Sequence, residues 1–146
     1  IIIDKNSYIY SCIIFEKDFG AFEVGKNSFI GGATFSIAES ILIGNNAQIA
    51  WGTLFFDHNS HSLDYKIRST DLVNRFNNIK LWDNIGIKKI IIEDDVWIGA
   101  NSIILKGVIL KQGTVIAAGS VVTKSTEPFS LYGGNPAKFI KKLEND

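Results

Sequence analysis

Aliphatic residues recur at every sixth position along the second half of this chain. The series is Ile92, Ile98, Ile104, Leu110, Ile116 and Val122. A small or β-branched residue stands four positions after each of the first five: Val96, Ser102, Val108, Thr114 and Ser120. A period of six fits neither a 3.6-residue helix nor a simple alternating strand, and it is typical of the hexapeptide repeats of a parallel β-helix.

The first half of the chain repeats the pattern less regularly. Its aliphatic and aromatic positions are Ile3, Ile9, Phe15, Val24, Ile30, Ile37, Ile43, Ile49 and Phe55. Each hexad predicts one short strand and a turn, and three strands would close one triangular coil with the aliphatic side chains inside. Gly and Asn at the corners adopt a positive φ at low steric cost. We therefore predict an all-β chain folded as one domain over residues 1–146.

Two segments interrupt the repeat. Residues 57–89 form a polar loop that contains both histidines, and the pattern predicts a short helix near residues 71–76. After Val122, Asn135-Pro136 and the following residues are typical of an N-cap and a proline at the first helical position. This pattern predicts a short C-terminal helix over about residues 136–144 that covers the open end of the coil.

Composition excludes several classes of function. Fifteen Lys and Arg residues balance fifteen Asp and Glu residues, which argues against nucleic acid or an anionic membrane as a bulk partner. No apolar run approaches the roughly 20 residues that span a bilayer. One cysteine excludes an intrachain disulfide and favours a cytoplasmic protein, and two histidines with one cysteine predict no metal site. The chain contains no methionine, so we expect that an N-terminal segment is missing.

Three motifs in the last third of the chain carry a family resemblance. They are VWIG at 96–99, AAGSVVTK at 117–124 and GNPAK at 134–138. In this order and spacing they resemble the hexapeptide-repeat O-acetyltransferases, which include galactoside, maltose and polysaccharide acetyltransferases. The resemblance implies a left-handed parallel β-helix and a homotrimer with active sites between subunits. It also implies acetyl-CoA as the donor and a sugar or a precursor in polysaccharide biosynthesis as the acceptor.

Transfer of an acetyl group to a hydroxyl needs a base for the hydroxyl proton, and an ordinary imidazole titrates near neutral pH. Only His58 and His61 are available. The resemblance favours His61, which lies six residues beyond Phe55 and begins the sequence HSLD, with His58 as the alternative. Asp57 and Asp64 are the candidate carboxylates for orienting the imidazole.

The resemblance also assigns a coenzyme A site. By position in the matching motifs, the contacts are Ala100, Ala118, Thr123, Lys124, Lys138 and Lys141. The two alanines would let the pantetheine arm lie close to the coil, and the lysines would meet phosphates. Residues 100–142 contain six lysines and one glutamate, so positive charge is concentrated in this segment.

Three tryptophans are candidate acceptor-binding residues. The resemblance places Trp97 as a wall beside the catalytic histidine, and Trp51 and Trp82 could stack on a sugar face. Two alternatives stay open from the sequence. One keeps acetyl-CoA but uses an antibiotic or an amino sugar as acceptor, and the other is a β-helical scaffold without catalysis.

Overall fold

The computed structural model describes residues 1–143 and consists mainly of short strands that stack in parallel. The strands are β1 (Ile2–Ile3), β2 (Tyr8–Phe15), β3 (Ala21–Val24), β4 (Phe29–Ile37), β5 (Ser40–Ile43), β6 (Gln48–Ile49), β7 (Leu54–Phe56), β8 (Ile90–Ile92), β9 (Trp97–Ile98), β10 (Ile103–Leu105), β11 (Ile109–Leu110), β12 (Val115–Ile116), β13 (Val121–Val122), β14 (Ser130–Gly133) and β15 (Lys138–Lys142). The helices are α1 (Tyr65–Arg68) and α2 (Asp71–Phe76).

The strands form the three faces of a triangular coil. The first face stacks β1, β3, β5, β8 and β11, the second includes β6, β9 and β12, and the third includes β7, β10 and β13. β2 and β4 are long enough to cross a corner, so they join the second and third faces. Because equivalent positions pair in register, as Ile104 does with Phe55 and Val122, inward-facing side chains lie above one another.

The six-residue series forms the core, as predicted. Every member from Ile92 to Val122 is at most 1% exposed, and so are the five small residues between them. Three phenylalanines pack together in the core of the first half: the ring centroids of Phe22 and Phe35 lie 4.8 Å apart, and those of Phe35 and Phe55 stack at 4.6 Å. Ile3 and Phe15 are exposed instead, because they belong to the first coil, which has a neighbour on one side only.

Asparagines line one corner of the coil, where the backbone has positive φ. Asn27, Asn46 and Asp95 all lie in the left-handed region. The Asn27 amide donates to Asn46 Oδ1 at 3.5 Å, and the Asn46 amide donates to Asp95 Oδ1 at 2.9 Å. These side-chain hydrogen bonds join successive turns, which explains why polar residues occupy this corner.

Gly99 has a different role from the corner residues. Its φ is not positive, and a Cβ atom built on it would lie 2.5 Å from the backbone N of Ala118 in the next coil. The glycine is therefore needed for close approach of two backbones at this point.

The predicted C-terminal helix is wrong for the residues that the structure describes. Lys138–Lys142 form β15, which pairs antiparallel with β14, and residue 144 lies outside the described residues. The ring of Phe139 packs edge-on against Tyr132 at 5.8 Å. Pairing with the free edge of β14 satisfies backbone groups there, whereas a helix this short is marginal without burial. In place of a helix, a strand therefore pairs with the edge of β14.

The excursion between β7 and β8 spans residues 57–89 and contains both helices, so the predicted short helix at 71–76 is confirmed. The Asp64 side chain caps α1 by accepting a hydrogen bond from the backbone N of Lys66 at 2.9 Å. Over residues 1–143, the structure contains no helix that is both long enough and apolar enough to cross a membrane.

Candidate active site

His61 stands in the excursion loop and is paired with a carboxylate from α2. Its Nδ1 lies 2.5 Å from Oδ2 of Asp71, the first residue of that helix. Ser60, just before it, has a φ of 63°, so the backbone bends sharply at this point. The His61 side chain is 53% exposed and the Asp71 side chain 18%, so the histidine is held by the less exposed carboxylate and is itself open to solvent.

This pairing determines which ring nitrogen can act as a base. The Asp71 carboxylate accepts a hydrogen bond from Nδ1–H, which leaves the lone pair of Nε2 free to accept a proton. A base oriented by a third group is the arrangement used in catalytic triads. The sequence offers Asp57 and Asp64 as candidate partners and gives no separate signal for Asp71, although Asp71 begins the predicted helix.

Asp57 and Asp64 have other partners. Asp57 is fully buried and accepts hydrogen bonds from the backbone N–H groups of Ala38 and Glu39, both at 2.7 Å. Burial raises the pKa of Asp57, and these backbone hydrogen bonds oppose that rise. Asp64 caps α1. Neither carboxylate is therefore bonded to a histidine ring.

Two cations hold the peptide groups on either side of His61. Lys80 Nζ donates to the carbonyl of Ser60 at 2.6 Å, and Arg68 Nη1 donates to the carbonyl of Ser62 at 2.8 Å. His61 lines a pocket of about 600 Å³. The other residues that line this pocket are Glu16, Arg68, Asp71, Leu72, Arg75, Asn78, Ile79, Lys80 and Leu81. We call it the His61 pocket.

His58 is buried beneath the same loop and uses both ring nitrogens. Its Nδ1 accepts a hydrogen bond from the backbone N of Ser60 at 2.9 Å, so the neutral ring carries its proton on Nε2. Nε2 lies 3.0 Å from Ser36 Oγ, which lies 3.0 Å from Glu16 Oε1. Burial lowers the pKa of His58 more than the nearby Asp57 and Glu16 raise it, which favours the neutral ring.

The three tryptophans occupy two separate places. Trp97 on β9 and Trp51 are both mostly exposed and line one small groove together with Phe29 and Gln48, which we call the Trp97 groove. The Trp97 groove and the His61 pocket have no residue in common. Within the described part of one chain, Trp97 therefore lines the Trp97 groove and not the His61 pocket.

Trp82 lies in the loop with its edge against His58, the ring centroids being 5.4 Å apart. The ammonium groups of Lys17 and Lys80 lie over its ring, 5.6 and 5.1 Å from the centroid. Lysine ammonium groups therefore lie over the Trp82 ring, the ring that is expected from the sequence to stack on a sugar.

The residues assigned to coenzyme A lie on the last coils. Ala100 and the Ala118 turn are stacked, since the N–H of Gly119 donates to the Ala100 carbonyl at 2.8 Å. A Cβ atom built on Gly119 would meet nothing within 4 Å, so the surface beside Ala118 is open. Thr123, Lys124, Lys138 and Lys141 are all exposed. Small open residues beside exposed lysines fit a phosphate-bearing ligand with a narrow arm.

Comparison with known proteins places the chain in a family. A family model described as the hexapeptide repeat of succinyl-transferase matches residues 23–53 and 89–124. The crystal structure of a hexapeptide-repeat-containing acetyltransferase from Vibrio cholerae O1 biovar eltor, complexed with acetyl coenzyme A, is 32% identical. It superposes with a TM-score of 0.72 over 96% of this chain and 72% of that one.

Two further relatives extend the comparison. A polysialic acid-specific acetyltransferase is 28% identical, with a TM-score of 0.78 over 97% of this chain and 61% of that one. A probable macrolide acetyltransferase of Lysinibacillus sphaericus is 59% identical over 56 residues, which are 38% of this chain and 31% of that protein. The chain spans less than half the length of the curated relatives it matches.

The repeated coil, the loop histidines and these matches all point to one family. The chain belongs to the hexapeptide-repeat acetyltransferase family. Its fold is the left-handed parallel β-helix that the sequence motifs predicted.

Proposed function

We propose that this protein transfers an acetyl group from acetyl-CoA to a hydroxyl of a sugar or a glycan precursor, with His61 as the general base. The observation that carries the proposal is the His61–Asp71 pair, because it leaves Nε2 free at the edge of a pocket large enough for a sugar. Family membership supports the acetyl donor.

The chemistry divides between the donor and the chain. Acetyl-CoA supplies an acetyl group that is already activated as a thioester. His61 Nε2 accepts the proton of the acceptor hydroxyl as the hydroxyl oxygen adds to the thioester carbonyl, and the imidazolium gives that proton to the coenzyme A thiolate when the C–S bond breaks. Asp71 holds Nδ1–H and stabilises the imidazolium while it exists. Lys80 and Arg68 fix the two peptide groups beside His61, which keeps the base in place without a rearrangement. On the donor side, Lys124, Lys138 and Lys141 would bind phosphates beside Ala100, Ala118 and Thr123.

His58 is the alternative base, and its environment argues against it. With Nδ1 accepting the Ser60 N–H, the Nε2 atom of the neutral ring is a donor and has no lone pair for an incoming proton. His58 is also buried, with 5% of its surface exposed. We assign it a positioning role instead, because it joins the loop to Ser36 on β4 and so supports the position of His61.

A second acceptor class has a specific observation in its favour. A probable macrolide acetyltransferase matches 56 residues of this chain, 38% of it, at 59% identity. An antibiotic hydroxyl would use the same base and the same donor site. An acceptor panel must therefore include a macrolide beside the sugars.

The complete site needs a second subunit in this proposal. The Trp97 groove and the His61 pocket are separate within one chain, and a homotrimer with sites between subunits would place one chain's tryptophans beside another chain's histidine loop. Light scattering tests the trimer. A cytoplasmic location stays a prediction from the single cysteine.

Acetyl-CoA is expected to stabilise the folded protein, and this tests the donor site directly. A ligand at 100 times its Kd adds about 2.7 kcal/mol to the free energy of unfolding. Replacing Lys124 by Gln should weaken acetyl-CoA binding by about tenfold, because one charge-assisted contact to phosphate is lost. The readout is the midpoint of thermal unfolding across an acetyl-CoA titration. Lys26→Gln, an exposed lysine on an early coil, is the matched control and should bind like the wild type.

A further inference from the structure

The His61 pocket carries more positive charge than its role in positioning a base requires. Three of its lining residues are the cations Arg68, Arg75 and Lys80, and two are the carboxylates Glu16 and Asp71. The whole excursion, residues 57–89, has six Lys and Arg residues and four Asp residues. Positive charge is therefore concentrated on the side where the acceptor would enter.

The neighbouring carboxylates are already engaged. Asp71 is bonded to His61, and Glu16 accepts a hydrogen bond from Ser36 Oγ. Outside the pocket, Asp57 accepts two backbone N–H groups and Asp64 caps α1.

None of the three cations lies within ion-pair distance of a carboxylate in the part of the chain that the structure describes. Among the described residues 1–143, the ion pairs are His61–Asp71 and Lys111–Glu93, so none of the three belongs to one. Arg68 and Lys80 donate to carbonyl oxygens, which are neutral acceptors. Three cations against two carboxylates leave the pocket lining with a surplus of one positive charge, and none of the three cations forms an ion pair, an arrangement that attracts an anion.

We propose that the acceptor is an anionic sugar, whose phosphate or carboxylate group is bound by Arg75 with Arg68 and Lys80 while its hydroxyl faces His61. The inference rests on the proposed function, and it adds the charge class of the substrate. Arg75 is the main determinant, because Arg68 and Lys80 already hold loop carbonyls. A guanidinium binds phosphate or carboxylate through two parallel hydrogen bonds, which would orient the sugar as well as hold it.

A phosphate of the donor is the other anion that this pocket could meet. In the proposed function, the phosphates of the donor are bound by the exposed lysines Lys124, Lys138 and Lys141 on the last coils. The two sources can be distinguished by measurement. If the pocket binds the sugar's anionic group, loss of Arg75 changes the affinity for the sugar; if it binds a donor phosphate, the loss changes the affinity for acetyl-CoA.

The test is isothermal titration of the oligomeric protein with two anionic sugars and one neutral sugar. The probes are glucose 1-phosphate and glucuronic acid as anions and methyl glucoside as the neutral control, each titrated with and without acetyl-CoA. At least one anionic sugar should bind about tenfold more tightly than methyl glucoside. Arg75→Gln should abolish that difference and leave the affinity for acetyl-CoA unchanged. Lys66→Gln removes an exposed cation of α1 that does not line the pocket, and it should keep the preference.

Three results would overturn the inference. The first is equal affinity for neutral and anionic sugars, which includes no measurable binding of either. The second is an anion preference that survives in Arg75→Gln. The third is weaker acetyl-CoA binding in Arg75→Gln. Failure of the proposed function is a different result, because acetyl-CoA would then fail to bind the wild-type protein in its own titration.

Discussion

Replacing His61 by Ala should lower kcat about 10²–10⁴-fold, the usual contribution of a general base. The variant loses the free Nε2 lone pair that accepts the hydroxyl proton in the proposed mechanism. It should keep its affinity for acetyl-CoA, because the residues assigned to the donor lie on the last coils. The measurement is release of the coenzyme A thiol under saturating acetyl-CoA, with thermal unfolding to establish that the variant is folded.

Two companion variants make the result specific. Asp71→Asn keeps the shape but loses the negative charge that orients Nδ1–H, so kcat should fall and the pH profile should shift while KM for acetyl-CoA stays the same. Added imidazole should restore part of the activity of His61→Ala. An active His61→Ala enzyme beside an inactive His58→Asn enzyme would assign the base to His58 instead.

Replacing Phe35 by Ala should reduce the free energy of unfolding by about 3–5 kcal/mol, the range for truncating a buried phenylalanine. Phe35 is fully buried and its ring contacts both Phe22 and Phe55. Its loss leaves a cavity beside Phe55 on β7, the strand that leads into the histidine loop. Denaturant unfolding at constant protein concentration measures the change.

Phe19→Ala is the matched control for this truncation. Phe19 is 94% exposed, so removing the same atoms there should change the free energy of unfolding by less than about 0.5 kcal/mol. Equal losses in the two variants would contradict the assignment of Phe35 to the core.

Much of the coil could be predicted from the sequence because the hexads repeat one pattern, an aliphatic residue followed four positions later by a small or β-branched one. The buried face, the corner asparagines and the short helix at 71–76 follow from local pattern alone. The C-terminal strand did not, because the pairing of Lys138–Lys142 depends on the free edge of β14 and not on the local Asn-Pro signal. A local N-terminal signal cannot represent a competing strand edge.

The candidate site was only partly predictable for a related reason. The residue types needed for catalysis identified the two histidines, but the partner of His61 lies ten residues away in a segment without a repeat. The cations Arg68, Arg75 and Lys80 come together only when both short helices fold over the loop. Such contacts depend on tertiary structure, and no period in the sequence encodes them.

Mass spectrometry of acetylated products tests the central claim most directly. The wild-type protein is incubated with acetyl-CoA and a panel of neutral sugars, sugar phosphates, nucleotide sugars and a macrolide. We predict an acetylated product that requires acetyl-CoA, appears together with free coenzyme A thiol, and is lost in His61→Ala. Tight binding of acetyl-CoA without any acetylated product across the panel would contradict the claim and favour a β-helical protein without this chemistry.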